Sequence, residues 1–255
     1  MVKGVTVACA VLCLCACAST GSGSVKSASQ DLNYWLTPPG RNELVVMGVS
    51  ARQTKQEAEI ASAREDAARK ISMYYGVRAS VENTQNMGGF LDYFANSDIT
   101  VEYNQQTKQY LENLAFDPDR DVFTRKNAVF IRFTYPAAFP GTVNYASQKN
   151  PNGSPRWTTS QPHEIGGFIA GVGFARRQQR IRDTMTRSCE SAVAALVSRV
   201  SSSLTADEIF TFSHVGGSYV HQESTGNLSY FLILETWIDP KTEDVWTLAI
   251  ARNAN

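Results

Sequence analysis

Cysteine is almost missing beyond the first seventeen residues of this 255-residue chain: Cys9, Cys13, Cys15 and Cys17 crowd the start, and Cys189 stands alone. A disulfide framework is therefore excluded for the folded part, whose stability must come from a packed core. Neither sign of charge prevails, with 24 Lys plus Arg against 24 Asp plus Glu, so no overall field draws the chain to nucleic acid. Nucleic acid is not expected as a partner. Histidine occurs three times, without H-E-x-x-H or a cysteine pair, so no metal site is expected, and His214 and His221 read as surface residues. G-x-S-x-G is also lacking and His163 falls in an expected linker, which leaves no visible nucleophile and base for hydrolysis. An enzyme is not expected.

Glycine is present but not in a nucleotide-binding pattern. Gly171-Val172-Gly173 opens like a dinucleotide loop, yet its third glycine would fall at Arg176, and the related stretch at Gly48 has Ser50 for its second glycine. Such a loop needs those glycines so that backbone can approach the pyrophosphate. The glycines read instead as tight strand-to-helix turns, and no cofactor is expected.

Apolar runs are short. Gly4 to Ala16 is an apolar stretch of 13 residues behind Lys3, below the roughly 20 residues needed to span a bilayer. It reads as a signal peptide, residues 1–16. The Leu14-Cys15-Ala16-Cys17 that follows resembles the lipobox of bacterial lipoproteins, with Cys17 as the lipidated residue; Cys13 and Cys15 each follow a Leu where a small residue is required, and Cys9 would leave too short an apolar core. That resemblance implies acyl chains on Cys17, and two or three together make release from a membrane negligible. Ala18 after Cys17 is compatible with sorting to the outer membrane. Residues 17–34 then read as the lipidated cysteine and a tether whose Gly/Ser-rich composition gives a reach of roughly 20 Å.

Two stretches of the remaining chain echo each other. Trp35 and Pro38 precede Leu44-Val45-Val46-Met47-Gly48-Val49, as Trp157 and Pro162 precede Phe168-Ile169-Ala170-Gly171-Val172-Gly173. Gly48 and Gly171 lie 123 positions apart, Ala67 and Ala192 lie 125, and Asp117 and Asp239 lie 122. Each apolar run leads into a helical pattern, Ile60, Ala63, Ala67, Ile71 and Tyr74 in the first half and Ile181, Met185, Cys189, Ala192, Leu196 and Val200 in the second. Gly76 suits a helix C-terminal cap, and V-R-A-S-V-E after it alternates like a half-buried strand. Both halves close on β-like sequence, the second as a hairpin turning at Asp239-Pro240-Lys241-Thr242. The expectation is an α+β chain of two tandem repeats, each one long helix packed on a small mainly antiparallel sheet, in domains 35–140 and 157–255 joined by a proline-rich linker, 141–156.

This arrangement of lipobox, W-x-x-P, strand ending in G-V-G, Ala-rich helix and terminal W-x-D-P hairpin resembles the bacterial lipoprotein family named for the twenty-kilodalton Helicobacter lipoprotein. It is also similar to the amino-terminal domain of flagellar assembly protein T. The resemblance is best over residues 157 to 255, and two copies in one chain depart from the single-domain members. It implies an outer-membrane lipoprotein, sometimes attached to flagellar structures, with no enzymatic activity assigned to the domain. A structural or assembly role with envelope proteins as partners is the expectation, and a module holding a small apolar molecule, lipid or glycan near Trp35 or Trp157 is the alternative.

Two clusters are candidate interaction surfaces. Arg176, Arg177, Arg180, Arg182 and Arg187 form the densest basic group, and on a helix Arg176, Arg180 and Arg187 would share one face, with Asp183 alone to offset them. Phe90, Tyr93 and Phe94 follow Gly88-Gly89 and would complete a core or form an exposed docking loop. Cys189 falls in the apolar stripe of its helix and reads as buried.

Overall fold

A computed structural model describes residues 33–84, 98–204 and 221–254. The chain divides into residues 1–30, outside that description, and one compact unit, Asp31–Asn255. The fold is α+β, with three α-helices and two antiparallel sheets among the described residues. In chain order the elements are β1 (Tyr34–Leu36), β2 (Glu43–Ala51), α1 (Gln56–Tyr75), β3 (Val77–Thr84), β4 (Asp98–Tyr103), α2 (Lys108–Leu111), β5 (Val122–Thr124) and β6 (Ala128–Pro136). A single 3-10 turn at Arg156–Thr158 precedes β7 (Glu164–Ile165), β8 (Phe168–Ala175), α3 (Ile181–Leu204), β9 (His221–Ile238) and β10 (Val245–Asn253).

The helices follow their apolar stripes. Ala63, Ala67, Ile71 and Tyr74 of α1 are buried, as are Ile181, Met185, Cys189, Ala192, Leu196 and Val200 of α3. The Gly76 N–H closes α1 on the Ser72 carbonyl at 3.3 Å, and β3 follows at once. The hairpin of β9 and β10 turns where the aspartate and proline place it, with the Lys241 N–H donating to Asp239 Oδ1 at 2.7 Å.

The seven-stranded sheet runs β4-β3-β9-β10-β8-β7, with β1 also paired to β9; the small sheet runs β2-β6-β5. One strand joins the halves. The first part of β9 pairs with β3, from His221 opposite Thr84 to Leu228 opposite Val77, and its second part pairs with β10 up to Ile238 opposite Val245. Residues expected to form two domains therefore share one sheet, which replaces the expectation of two separately packed bodies.

The core follows the same plan. Phe231, Ala249 and Ala251 pack with Cys189, Ala192, Leu196 and Val200 of α3. Their alternates Leu232, Leu234, Leu248 and Ile250, which point to the other face of the sheet, join α1, the small sheet and Phe139, Trp157 and Ile165 in a single cluster. The expected linker 141–156 is accordingly docked. Trp157 is 3% exposed and its Nε1–H donates to Glu235 Oε2 at 2.5 Å, an acceptor that also receives the Ser147 hydroxyl at 3.1 Å. From α3, the Arg199 guanidinium donates to the Pro162 carbonyl at 2.7 Å and to that of Ala170.

The glycines expected in turns lie inside strands instead. A Cβ on Gly48 would overlap the Ala63 carbonyl of α1, and one on Gly173 would overlap the Ser188 carbonyl and Ala192 backbone of α3. Their purpose is close approach of strand and helix. Gly171 serves the same contact, its absent Cβ leaving room for Leu196 Cγ at 2.7 Å.

Candidate functional site

Both strand–helix pairs are fastened by matching contacts. The Val49 N–H donates to Asp66 Oδ2 at 3.0 Å, and the Phe174 N–H donates to Ser191 Oγ at 3.2 Å. The Gln53 N–H donates to Glu59 Oε1 at 2.8 Å, and the Gln178 N–H donates to Thr184 Oγ1 at 2.9 Å. In these contacts every residue of the second half follows its counterpart by 125 positions, and the glycine matching Gly48 is accordingly Gly173, which meets Ser188 as Gly48 meets Ala63, and not the expected Gly171 at 123 positions.

Between the two helices this fastening leaves an open polar cleft of about 870 Å3. Helix α1 contributes Asp66 and Arg69, helix α3 contributes Arg182, Asp183, Arg187 and Glu190, and Tyr103 closes the side formed by β4. Asp66 forms its floor. Its carboxylate, 4% exposed, binds Lys70 Nζ at 2.7 Å and Arg69 Nη2 at 2.9 Å, while Lys70 also donates to the Met47 carbonyl at 2.5 Å. Burial alone would raise the Asp66 pKa, but the charges of Lys70 and Arg69 and their hydrogen bonds outweigh it and hold the carboxyl at about 2. Behind it Cys189 is fully packed, and burial pushes its thiol up, with the Arg69 and Lys70 charges opposing in part. Arg182 Nη1 donates to Ser62 Oγ at 3.2 Å across the helix pair, and Arg187 faces Glu190 at 3.7 Å. Such a cleft presents guanidinium donors beside carboxylate acceptors, chemistry that suits recognition of a charged surface.

The expected basic face takes a different form. Helix α3 begins at Ile181, so Arg176, Arg177 and Arg180 stand in the loop before it and only Arg182 and Arg187 are helical. Side-chain acceptors set this start: the Arg177 N–H is taken by Asp244 Oδ1 of the β9–β10 turn at 2.9 Å and the Gln178 N–H by Thr184, so neither enters a helical ladder. Asp183 is not the sole counter-charge either. Glu243, from the β9–β10 turn, meets Arg177 Nε at 3.1 Å and Arg125 Nη2 at 3.6 Å. Cys17, Phe90, Tyr93, Phe94 and His214 lie outside the described residues.

The space beside Trp35, bordered by Val46, Ile71, Phe231 and Leu232, is about 20 Å3. That admits a water-sized body and falls far below the roughly 300–1,000 Å3 of a ligand pocket. The position of Trp157 is filled by its bond to Glu235, which is 0% exposed and whose Oε1 has no hydrogen-bond partner among the described residues. Burial, and then the Glu235 charge, push the Tyr34 and Tyr145 hydroxyls up. Among the described residues, neither tryptophan lines the larger openings between the helices or beside Tyr230.

Sequence reading missed the charged floor Asp66, Arg69 and Lys70 and the buried Glu235. Both left a trace: Asp66 and Lys70 stand at i, i+4 against the apolar stripe, and Glu235 interrupts the run Leu232-Ile233-Leu234 before Thr236-Trp237-Ile238. Among the described residues no three His, Cys, Asp or Glu are grouped to hold a metal ion, and no helix is long and apolar enough to cross a membrane. No protein-family model, curated protein or solved structure matches the chain.

Proposed function

We propose that the chain is a lipid-anchored lipoprotein of the bacterial envelope, held at the outer membrane through Cys17, with a structural or assembly role exercised through protein contacts. The observation that carries this reading is Leu14-Cys15-Ala16-Cys17 behind a 13-residue apolar run, followed by a Gly/Ser-rich stretch that ends where the compact unit begins at Asp31. The resemblance to the twenty-kilodalton Helicobacter lipoprotein family and to the amino-terminal domain of flagellar assembly protein T supports a flagellar or other envelope complex as its setting.

The body descends, in this reading, from a duplicated strand–helix–strand module. The contacts repeated at one spacing of 125 positions support that descent, because chance would not preserve a glycine and two helix-borne acceptors, one for a strand N–H and one for a loop N–H, together. Its copies have since fused through β9. The interhelical cleft, with Arg69, Arg182 and Arg187 beside Asp183 and Glu190, is the surface assigned to an envelope partner.

Metabolic labelling with a palmitate analogue tests the anchor: the native chain takes up label and Cys17→Ser does not. Cross-linking in cells followed by gentle extraction tests the role, and co-purification with a large envelope assembly is expected, weakened in Arg182→Glu with Arg187→Glu. A freely diffusing, unlabelled mature protein overturns the reading.

A further inference from the structure

At the C-terminal end of α1, tyrosines from two elements line one groove together with Arg252. Helix α1 ends in Tyr74 and Tyr75, and Tyr75, 52% exposed, stacks on Tyr110 with ring centroids 5.5 Å apart. From β9 comes Tyr230, whose ring meets that of Tyr74 edge to face at 5.5 Å. Tyr230 has φ 55, a left-handed conformation that a bulky side chain adopts only at a cost. It stands where the β9–β10 pairing slips between Ile250 and Arg252, and bulges of this kind re-aim side chains beside functional sites. Opposite, the Arg252 guanidinium lies 4.5 Å over the Phe168 ring and 6.0 Å from that of Tyr230, and donates to the Pro140 carbonyl at 3.1 Å. Tyr74, Tyr75, Tyr230 and Arg252 border an open groove of about 600 Å3, within the range of small-ligand sites.

We propose that this groove, framed by Tyr74, Tyr75, Tyr230 and Arg252, binds a pyranose saccharide. Three features select that chemistry. Tyr75 and Tyr230 offer negative ring faces to the C–H face of a sugar ring, and Tyr230 a hydroxyl to its alcohols, while Tyr74, 2% exposed and with its hydroxyl donated to the Ala138 carbonyl at 2.8 Å, forms the wall behind them. Among the described residues Arg252 is the one charged residue of the lining, which disfavours cationic ligands and supplies fixed donors to sugar oxygens. The hydroxyls of Ser229 and Tyr230 make no hydrogen bond among the described residues and remain for a ligand, and β9 and β10 are paired with each other here, so their facing edges are closed to an added peptide strand. This site goes beyond the anchoring role and does not depend on it.

The test titrates the full chain, in a detergent without a sugar headgroup, with chitotetraose and with maltotetraose, followed by calorimetry and saturation-transfer NMR. The two arms separate an N-acetylated wall-type glycan from a plain hexose polymer. Saturable binding of one or both at roughly millimolar affinity or tighter is expected, with saturation strongest at ring C–H protons. Tyr75→Ala, at an exposed position, and Tyr230→Gly, which removes the ring while keeping the left-handed backbone, each weaken binding by about tenfold or more with unchanged circular dichroism. Absence of saturable binding by either saccharide, or binding that both variants leave intact, overturns the proposal. So does binding of a proline-rich peptide in place of both sugars.

Discussion

Gly48 and Gly173 show why single residues matter at the contact of strand and helix. Each lies where a methyl group would overlap a carbonyl of the facing helix, Ala63 or Ser188, so alanine can be accommodated only by separating packed elements. Overpacking of this kind costs about 1–3 kcal/mol, and more where backbone rather than a side chain must yield. Gly48→Ala and Gly173→Ala are therefore each expected to lower the unfolding free energy by about 3 kcal/mol or more, measured by urea titration. Gly76 is the control, because its added Cβ meets nothing within 4 Å and its φ of 174 is ordinary extended backbone; Gly76→Ala should leave the midpoint nearly unchanged. That these glycines were special was legible from their place in each apolar run. Their reason was not, because the clash is with residues fifteen positions further on, a tertiary distance that local pattern does not encode.

Helices α1 and α3 perform one task with different chemistry. Where α3 uses the neutral Ser191 hydroxyl to accept the N–H after the glycine, α1 uses the ionised Asp66 and then neutralises it with Lys70 and Arg69; the position matching Lys70 in α3 is Ala195. This difference makes the α1 contact sensitive to acid. A carboxyl held at about 2 when folded, against an ordinary value of 3.8, contributes stability that is fully present above the unfolded value and is lost as pH falls through the folded one. The contribution is on the order of 2 kcal/mol. Unfolding free energy is expected to hold steady from pH 7 to about pH 5 with respect to this group, then to fall between about pH 4 and pH 2. Asp66→Asn combined with Lys70→Met should flatten that limb while changing stability at pH 7 far less than Asp66→Asn alone, which strands a buried ammonium. Urea midpoints taken across the pH range decide this; an acid limb unchanged in the double variant contradicts it. Both helices were legible as apolar stripes with a period near 3.6, including the burial of Cys189. The start of α3 was not, since side chains from the distant 239–244 turn and from Thr184 take the N–H groups that would have lengthened it.

At the scale of the molecule, β9 decides the cooperativity. Because its 18 residues pair with β3 on one stretch and β10 on another, neither half can complete its sheet or cover its apolar face alone. Tryptophan fluorescence and far-ultraviolet circular dichroism should report one coincident urea transition for the whole body, and residues 35–140 expressed by themselves should stay unfolded. Two separated transitions would contradict this. The α+β class, the glycine-bearing strands and the final hairpin were readable along the chain, each being a local periodicity or turn. Which strands become neighbours was not, for alternation tells which side of a strand is buried without naming what lies beside it. The docked 141–156 segment escaped notice likewise, because prolines and Asn-Gly look alike in a free linker and in one pinned by Glu235. A mechanical consequence follows from the way the chain enters the body. Any pull delivered from residues before Asn33 is borne first by β1, three residues paired to β9 and seated by Trp35 against Phe123 and Phe130. That short seam is the first to yield under tension, a sacrificial link whose rupture leaves the central hairpin of β9 and β10 unstretched.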